Sequence, residues 1–126
     1  AARLLSISIE QVQADRFAAV RQLQEKYHAV VLLKGAGTLI AAPDEELIMV
    51  CPYGNPGMAT GGMGDILSGI IGALLAQGLE PRLAAQLGCC LHSAAADMAV
   101  EEQGMRGLTA TDVLCYLRKL LNSDVV

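Results

Sequence analysis

Hydrophobic and polar positions change period several times along the chain, and each change marks an element. Ser8-Ile9-Glu10-Gln11 has the form of a capping box, with Ser8 as N-cap and Gln11 three residues on. Val12, Phe17, Val20, Leu23 and Tyr27 then recur at roughly helical spacing, and Asp15, Arg16, Arg21, Glu25 and Lys26 mark the solvated side. Ala1 to Ser6 carry no start signal and read as a helix entered partway along. From His28 to Lys34 the periodicity is lost. The continuous run Ala29-Val30-Val31-Leu32-Leu33 is the mark of a strand buried on both faces, as in a parallel sheet, with His28 a surface residue at its start. Two further apolar runs, Leu39 to Ala42 and Leu47 to Cys51, flank the turn Pro43-Asp44-Glu45-Glu46 at hairpin spacing.

The second half reads as helices. Ile66 to Ala76 is almost wholly apolar and predicts a buried helix over about Gly64 to Gln77, with Gly78 as its stop. Pro81 opens the next helix, and Leu83 to Gln103 is long, mostly small or apolar, and expected to be largely buried. His92 and Asp97 lie within it, five residues apart and so not on one helical face, which favours packing over a catalytic pair. Gly104 to Gly107 breaks the helix, and Thr109-x-x-Asp112 starts a last one through Leu114, Leu117, Leu120 and Leu121.

Composition narrows the function classes. The 126 residues suit one domain and are 53% hydrophobic against 17% charged, enough for a sizeable core. Aromatics make up 3%, which leaves little surface for stacking bases, and nine basic against thirteen acidic residues give a net charge of −4 without a basic cluster. Nucleic acid is therefore not an expected partner. Cys51, Cys89, Cys90 and Cys115 contain no C-x-x-C, and the C-x-x-H pair Cys89 and His92 lacks a second ligand pair, so no metal-ligating residues are assigned and buried thiols are expected. No signal peptide is visible and the longest apolar run falls short of a bilayer, so no membrane partner is expected and the location reads as cytoplasmic.

The candidate chemistry sits in Asn55-Pro56-Gly57-Met58-Ala59-Thr60-Gly61-Gly62-Met63-Gly64-Asp65. A loop rich in glycine and free of long charged side chains feeds a helix N-terminus, where unpaired N–H groups and the helix dipole favour an anion. Gly61, Gly62 and Gly64 allow positive φ or close approach of another group, and Asp65 stands beside that position. A phosphate cradle and a loop built only for turn geometry both satisfy this spacing. It is neither a Walker A loop nor a dinucleotide fingerprint, since no Lys-Ser/Thr follows Gly64 and no G-x-G-x-x-G occurs. Lys34-Gly35-Ala36-Gly37-Thr38 is a second candidate, at the carboxyl end of a buried strand where open α/β sheets bind ligands. A strand-to-turn connection with a surface Lys fits those residues too.

These two strings, with the Ala-rich segment carrying His92 and Asp97, resemble the nucleotide-binding half of the NAD(P)H-hydrate dehydratase family, within the ribokinase-like kinases. The resemblance runs from about Ala1 to Leu121, and A-T-G-G-M-G-D is its most specific part. The wider superfamily has G-A-G-D there, so Met63 points to the dehydratase branch. The resemblance implies a ribokinase-like three-layer α/β/α sandwich, of which residues 1–126 would be the C-terminal nucleotide-binding portion, with buried strands, a small hairpin and about four helices. The N-terminal portion would be absent and the isolated chain inactive. It implies a lyase that repairs hydrated NADH or NADPH with cleavage of ADP, to AMP and phosphate, or of ATP, usually with Mg²⁺. Lys34, Gly35, Ala36, Gly37, Thr38, Asn55, Thr60, Gly61, Gly62, Met63 and Gly64 would hold the nucleotide, and Asp65 would be the catalytic residue in contact with substrate. A homo-oligomer, a tetramer in bacterial relatives, is also implied, although core burial explains the apolar 83–100 segment equally well. Two other classes share these residues: a hydroxymethylpyrimidine or sugar kinase of the same superfamily, and a non-catalytic nucleotide-binding module.

Overall fold

The structure, a computed structural model, describes residues 1–123. It divides into two units, Ala1–Cys51 and Pro52–Val126.

In the first unit a single turn, α1 (Ala2–Leu5), precedes the capping box, which forms as the sequence predicts. Ser8 Oγ accepts from Gln11 N at 3.1 Å, Gln11 Oε1 accepts from Ser8 N at 2.8 Å, and α2 (Ile9–Ala14) begins. The helix expected to continue to Tyr27 stops instead at Asp15. Its Oδ1 accepts from Ala18 N at 2.9 Å and caps a new helix, α3 (Arg16–Tyr27). A short carboxylate bonds readily to nearby backbone amides, so it is worth more as a cap than within a helix. The break shifts the helical phase, and Phe17, expected on the core face, is 53% exposed.

His28 closes α3 in the left-handed conformation and is exposed. Three short strands follow: β1 (Val31–Leu33), β2 (Leu39–Ala41) and β3 (Met49–Val50), in the order β1-β2-β3. The expected hairpin forms, with Ile40 opposite Met49. Among the described residues β1 makes no parallel pair of the kind its apolar run suggested. It runs antiparallel to β2, Leu32 opposite Ile40, and is half-buried, whereas β2 is buried throughout. The physical reason is length. Lys34–Thr38 alone joins the two strands, and a parallel crossover needs about a dozen residues or more. Val20 of α3 packs with Leu39 and Ala41 over Val31, Leu33 and Ile48.

In the second unit a 3₁₀ turn (Pro56–Met58) leads to α4 (Met63–Ala76), α5 (Pro81–Gln103) and α6 (Asp112–Asn122). The helix expected to be buried, α4, buries one face only: Met63, Leu67, Ile70 and Leu74, while Leu75 is 43% exposed. Gly88 lets α5 approach α4 closely, since a Cβ there would stand 2.7 Å from Ile71 Cγ1. Gly104 ends α5 at φ 85°. The last helix starts at Asp112, two residues later than Thr109 as N-cap would set it, and Asp112 is the residue that reaches back, accepting from Thr109 N at 2.8 Å. Its buried face carries Val113 and Tyr116, with Leu117 and Leu120 packed beside them, while Leu114 and Leu121 are exposed. Met63, Ala95, Ala96, Ala99, Leu108 and Ala110 complete that cluster.

By length and composition alone α5 is apolar enough to cross a membrane, contrary to the expectation that no run was. Here its face from Ala84 to Ala99 is buried and the helix packs on α4 and α6. Cys51 and Cys89 are buried as expected, Cys90 is partly so, and Cys115 is exposed on α6. The described residues thus hold six α-helices where about four were expected.

Candidate functional site

The glycine string is held from its entry. Asn55 caps the 3₁₀ turn, its Oδ1 accepting from Gly57 N at 3.0 Å, and its Nδ2 donates to Asp97 Oδ1 at 2.7 Å. The other oxygen of Asp97, on α5, accepts from Gly54 N at 2.8 Å. One carboxylate therefore pins two consecutive residues of the loop. Gly57 is required by space, since a Cβ would lie 2.9 Å from Asn55 Oδ1 and 3.1 Å from Met105 Cγ. Thr60 Oγ1 lies 2.8 Å from the Gly57 carbonyl and 3.2 Å from that of Leu108, so the loop is tied to the segment before α6 as well.

Gly62 then turns the chain into α4 at φ 88°, and no side chain caps the helix. The first bond of the helical ladder runs from Ile66 N to Gly62 O at 3.1 Å, and Met63 N reaches Thr60 O only at 3.4 Å. Among the described residues no bond is made by the amides of Gly61, Gly62, Gly64 or Asp65. Gly61 faces open space, and the loop from Ala59 to Gly62 is exposed. The result is an uncapped helix start with unpaired N–H groups and the positive end of a dipole, which can take a phosphate-like anion. Asp65, exposed in the first turn of α4, stands at its edge. Met63, the first residue of α4, has its side chain buried in the core, so only its backbone can face a ligand at the helix start.

The other candidate loop belongs to the first unit. Lys34 to Thr38 connects β1 to β2 as a series of bends, with Gly35 at φ 150° and Gly37 at φ 63°. Three of its five carbonyls are taken, as is that of Leu33 just before it: Arg16 Nη2 donates to Leu33 O at 3.1 Å, Arg16 Nη1 to Ala36 O at 2.7 Å, Thr38 Oγ1 to Gly35 O at 3.2 Å and Cys51 N to Thr38 O at 2.9 Å. No bond from the amides of Gly35, Ala36 or Gly37 is found among the described residues. Lys34 is exposed and Thr38 buried.

Sequence reasoning found both loops but missed what shapes them. Arg16 was assigned to a solvated side and Asp97 to packing, yet each is bonded to a candidate loop. Asp97 breaks a local rule that was visible, a carboxylate in an Ala-rich stretch, whereas Arg16 stands in a first helical turn only because Asp15 starts a new helix, which the sequence did not show. His92 is buried. No three His, Cys, Asp or Glu side chains gather around a common point among the described residues.

Known structures identify the class. The ADP/ATP-dependent NAD(P)H-hydrate dehydratase from Bacillus subtilis, co-crystallised with ATP/Mg²⁺, is similar over 95% of this chain and 43% of its own, with a TM-score of 0.89 and 28% identity. A ribokinase-like superfamily protein from Enterococcus faecalis is similar over 94% of this chain and 40% of its own, with a TM-score of 0.72 and 33% identity. The fold is thus part of the ribokinase-like α/β fold. The NAD(P)H-hydrate dehydratase family matches residues 1–119, and the chain belongs to that family. It is 61% identical over 122 residues to the bifunctional NAD(P)H-hydrate repair enzyme Nnr of Coxiella burnetii, covering 97% of this chain and 25% of that protein. It is 51% identical over 123 residues to the ADP-dependent (S)-NAD(P)H-hydrate dehydratase of Neisseria meningitidis, covering 97% of this chain and 41% of that protein. The chain therefore spans a quarter to two fifths of the length of these relatives.

Proposed function

We propose that the full-length protein bearing this chain is a nucleotide-dependent lyase that dehydrates hydrated NADH or NADPH, with ADP or ATP as phosphoryl donor. The observation that carries the reading is the uncapped start of α4, with open amides at Gly61, Gly62 and Gly64 and a carboxylate, Asp65, two residues past its first position. Lys34 to Thr38 is proposed as a further nucleotide contact, through its unpaired amides and the Lys34 ammonium. Asn55 and Thr60 serve by shaping the loop, since their polar atoms are engaged within it.

The chemistry follows from leaving-group ability. A hydroxyl on the hydrated ring leaves poorly, but its phosphate ester leaves well. Asp65 accepts the proton of that hydroxyl while the oxygen attacks the terminal phosphorus and the bond to the rest of the nucleotide breaks. The amides at Gly61, Gly62 and Gly64 face charge developing on the transferred group. The C–O bond then breaks, phosphate departs, a proton is lost from the neighbouring carbon, and the ring double bond returns. Mg²⁺ commonly sits on nucleotide phosphates and water with only one or two carboxylates, which is compatible with a loop offering Asp65 alone. Bound there, it would neutralise phosphate charge. The four cysteines, paired in no disulfide, suit a reducing cytoplasm.

The test incubates full-length protein with hydrated NADH and either ADP or ATP, and follows return of NADH absorbance. Nucleotide-dependent recovery is expected, and Asp65→Asn should lower kcat by about 10²–10⁴-fold, the usual worth of a positioned general base. A stable phosphorylated product from a vitamin or sugar substrate, with no NADH recovery, would move the protein to the small-molecule kinases. Nucleotide binding without turnover of either kind would make it a binding module.

A further inference from the structure

We infer that Arg16 is a positioning residue for the nucleotide, acting through the Lys34–Thr38 loop; the inference rests on the reading that this loop binds nucleotide. Arg16 is the first residue of α3, where the helix dipole disfavours a cation. Its guanidinium is held there by two carbonyls of the β1–β2 connection, Leu33 at 3.1 Å and Ala36 at 2.7 Å. The fork fits between them as a planar pair of donors, which an ammonium cannot reproduce. Gly35, between those carbonyls, is shaped around it, because a Cβ there would stand 2.9 Å from Nη2. With Thr38 Oγ1 and Cys51 N taking the Gly35 and Thr38 carbonyls, three of the loop's five acceptors are engaged within the protein. The amides of Gly35, Ala36 and Gly37 are left for an anionic ligand, as in a backbone nest. Asp15, by capping α3, sets the turn from which Arg16 reaches the loop.

The experiment uses the full-length protein and three variants: Arg16→Ala, Arg16→Lys and Gly35→Ala. ADP and ATP affinities are measured by calorimetry, and KM is measured separately for nucleotide and for hydrated NADH. Arg16→Ala should raise Kd and KM for nucleotide by about tenfold or more, the size expected when charge-assisted bonds stop supporting a site. KM for hydrated NADH should stay within about twofold of wild type, well under the tenfold step of one lost bond. Millimolar guanidinium should restore part of the nucleotide affinity to Arg16→Ala, and Arg16→Lys should be intermediate. If Arg16→Ala does not fold, Gly35→Ala, which displaces the guanidinium without removing it, carries the test with the same expected split. A folded Arg16→Ala with unchanged nucleotide Kd and KM, or one whose two KM values rise together without guanidinium rescue, overturns the inference. A wild-type protein that binds neither ADP nor ATP overturns the underlying reading instead.

Discussion

Adjacent glycines in the string A-T-G-G-M-G-D do different work. Gly62 carries φ 88° and faces Ala110, whose Cβ would be 3.2 Å from an added Cβ, whereas Gly61 has no positive φ and open space around it. Gly62→Ala should therefore cost about 1–2 kcal/mol for the left-handed conformation alone, with crowding against Ala110 in addition. Gly61→Ala should change stability little, within about 0.5 kcal/mol as for an exposed site, yet weaken nucleotide binding by covering the open amides. Thermal melts paired with nucleotide titrations check this, and equal melting temperatures for the two variants would sink it. The sequence announced a glycine loop before a helix but not which glycine is conformational and which keeps space open. That distinction depends on Ala110, nearly fifty positions away, and no local spacing encodes it. Arg16 was illegible for the same reason, since its partners Leu33 and Ala36 lie in another element.

Helices α4, α5 and α6 carry the glycine loop, so their packing is felt in it. At Gly88 the approach of α5 to α4 leaves no room, and Gly88→Ala would place a Cβ 2.7 Å from Ile71 Cγ1. Overpacking of this kind costs about 1–3 kcal/mol, so a clear drop in melting temperature is expected, and an unchanged melt would mean the helices slide apart freely. A second link joins α5 to α6. Glu102 accepts from Lys119 at 3.0 Å and from Tyr116 OH at 2.9 Å, and the Lys119 ammonium stands 4.6 Å from the Tyr116 ring centroid. The bond from Lys119, then that from Tyr116, holds the Glu102 carboxyl below its ordinary pKa. A lowered folded pKa means that the stabilisation is present above the unfolded carboxylate range and is lost as pH falls through the folded value. Denaturant midpoints of wild type and Glu102→Gln should accordingly differ most near neutrality and converge in acid, and a difference flat with pH would rule the link out. At this scale the sequence was most legible where chemistry is local: the Ser8 capping box, the β2–β3 hairpin, Pro81 and Gly104. It said less where periodicity had to decide a face, as on α6, because Leu at every third or fourth position fits two adjacent phases, of which the structure buries the one with Tyr116, Leu117 and Leu120.

For the molecule as a whole, what matters is how much of the proposed dehydratase these residues represent. The chain covers 43% of the Bacillus subtilis dehydratase and 41% of the Neisseria meningitidis one, while both loops proposed to bind nucleotide lie within it. Several large apolar side chains are exposed, among them Leu47 at 78%, Ile9 at 67% and Phe17 at 53%. Apolar surface of that kind, when contiguous, marks a binding or docking face. We therefore expect the 126-residue chain, expressed alone, to give no recovery of NADH from its hydrate at concentrations where the full-length protein shows the proposed activity. Nucleotide binding measured on the same sample separates the two conceivable failures. Retained affinity without turnover would mean that the nucleotide loops are built and that the residues grasping the hydrated ring lie outside the chain. Loss of both would mean that the loops themselves depend on those missing residues. Turnover by the chain alone would overturn the expectation and place the whole substrate pocket within residues 1–126, with Asp65 as its first residue to mutate.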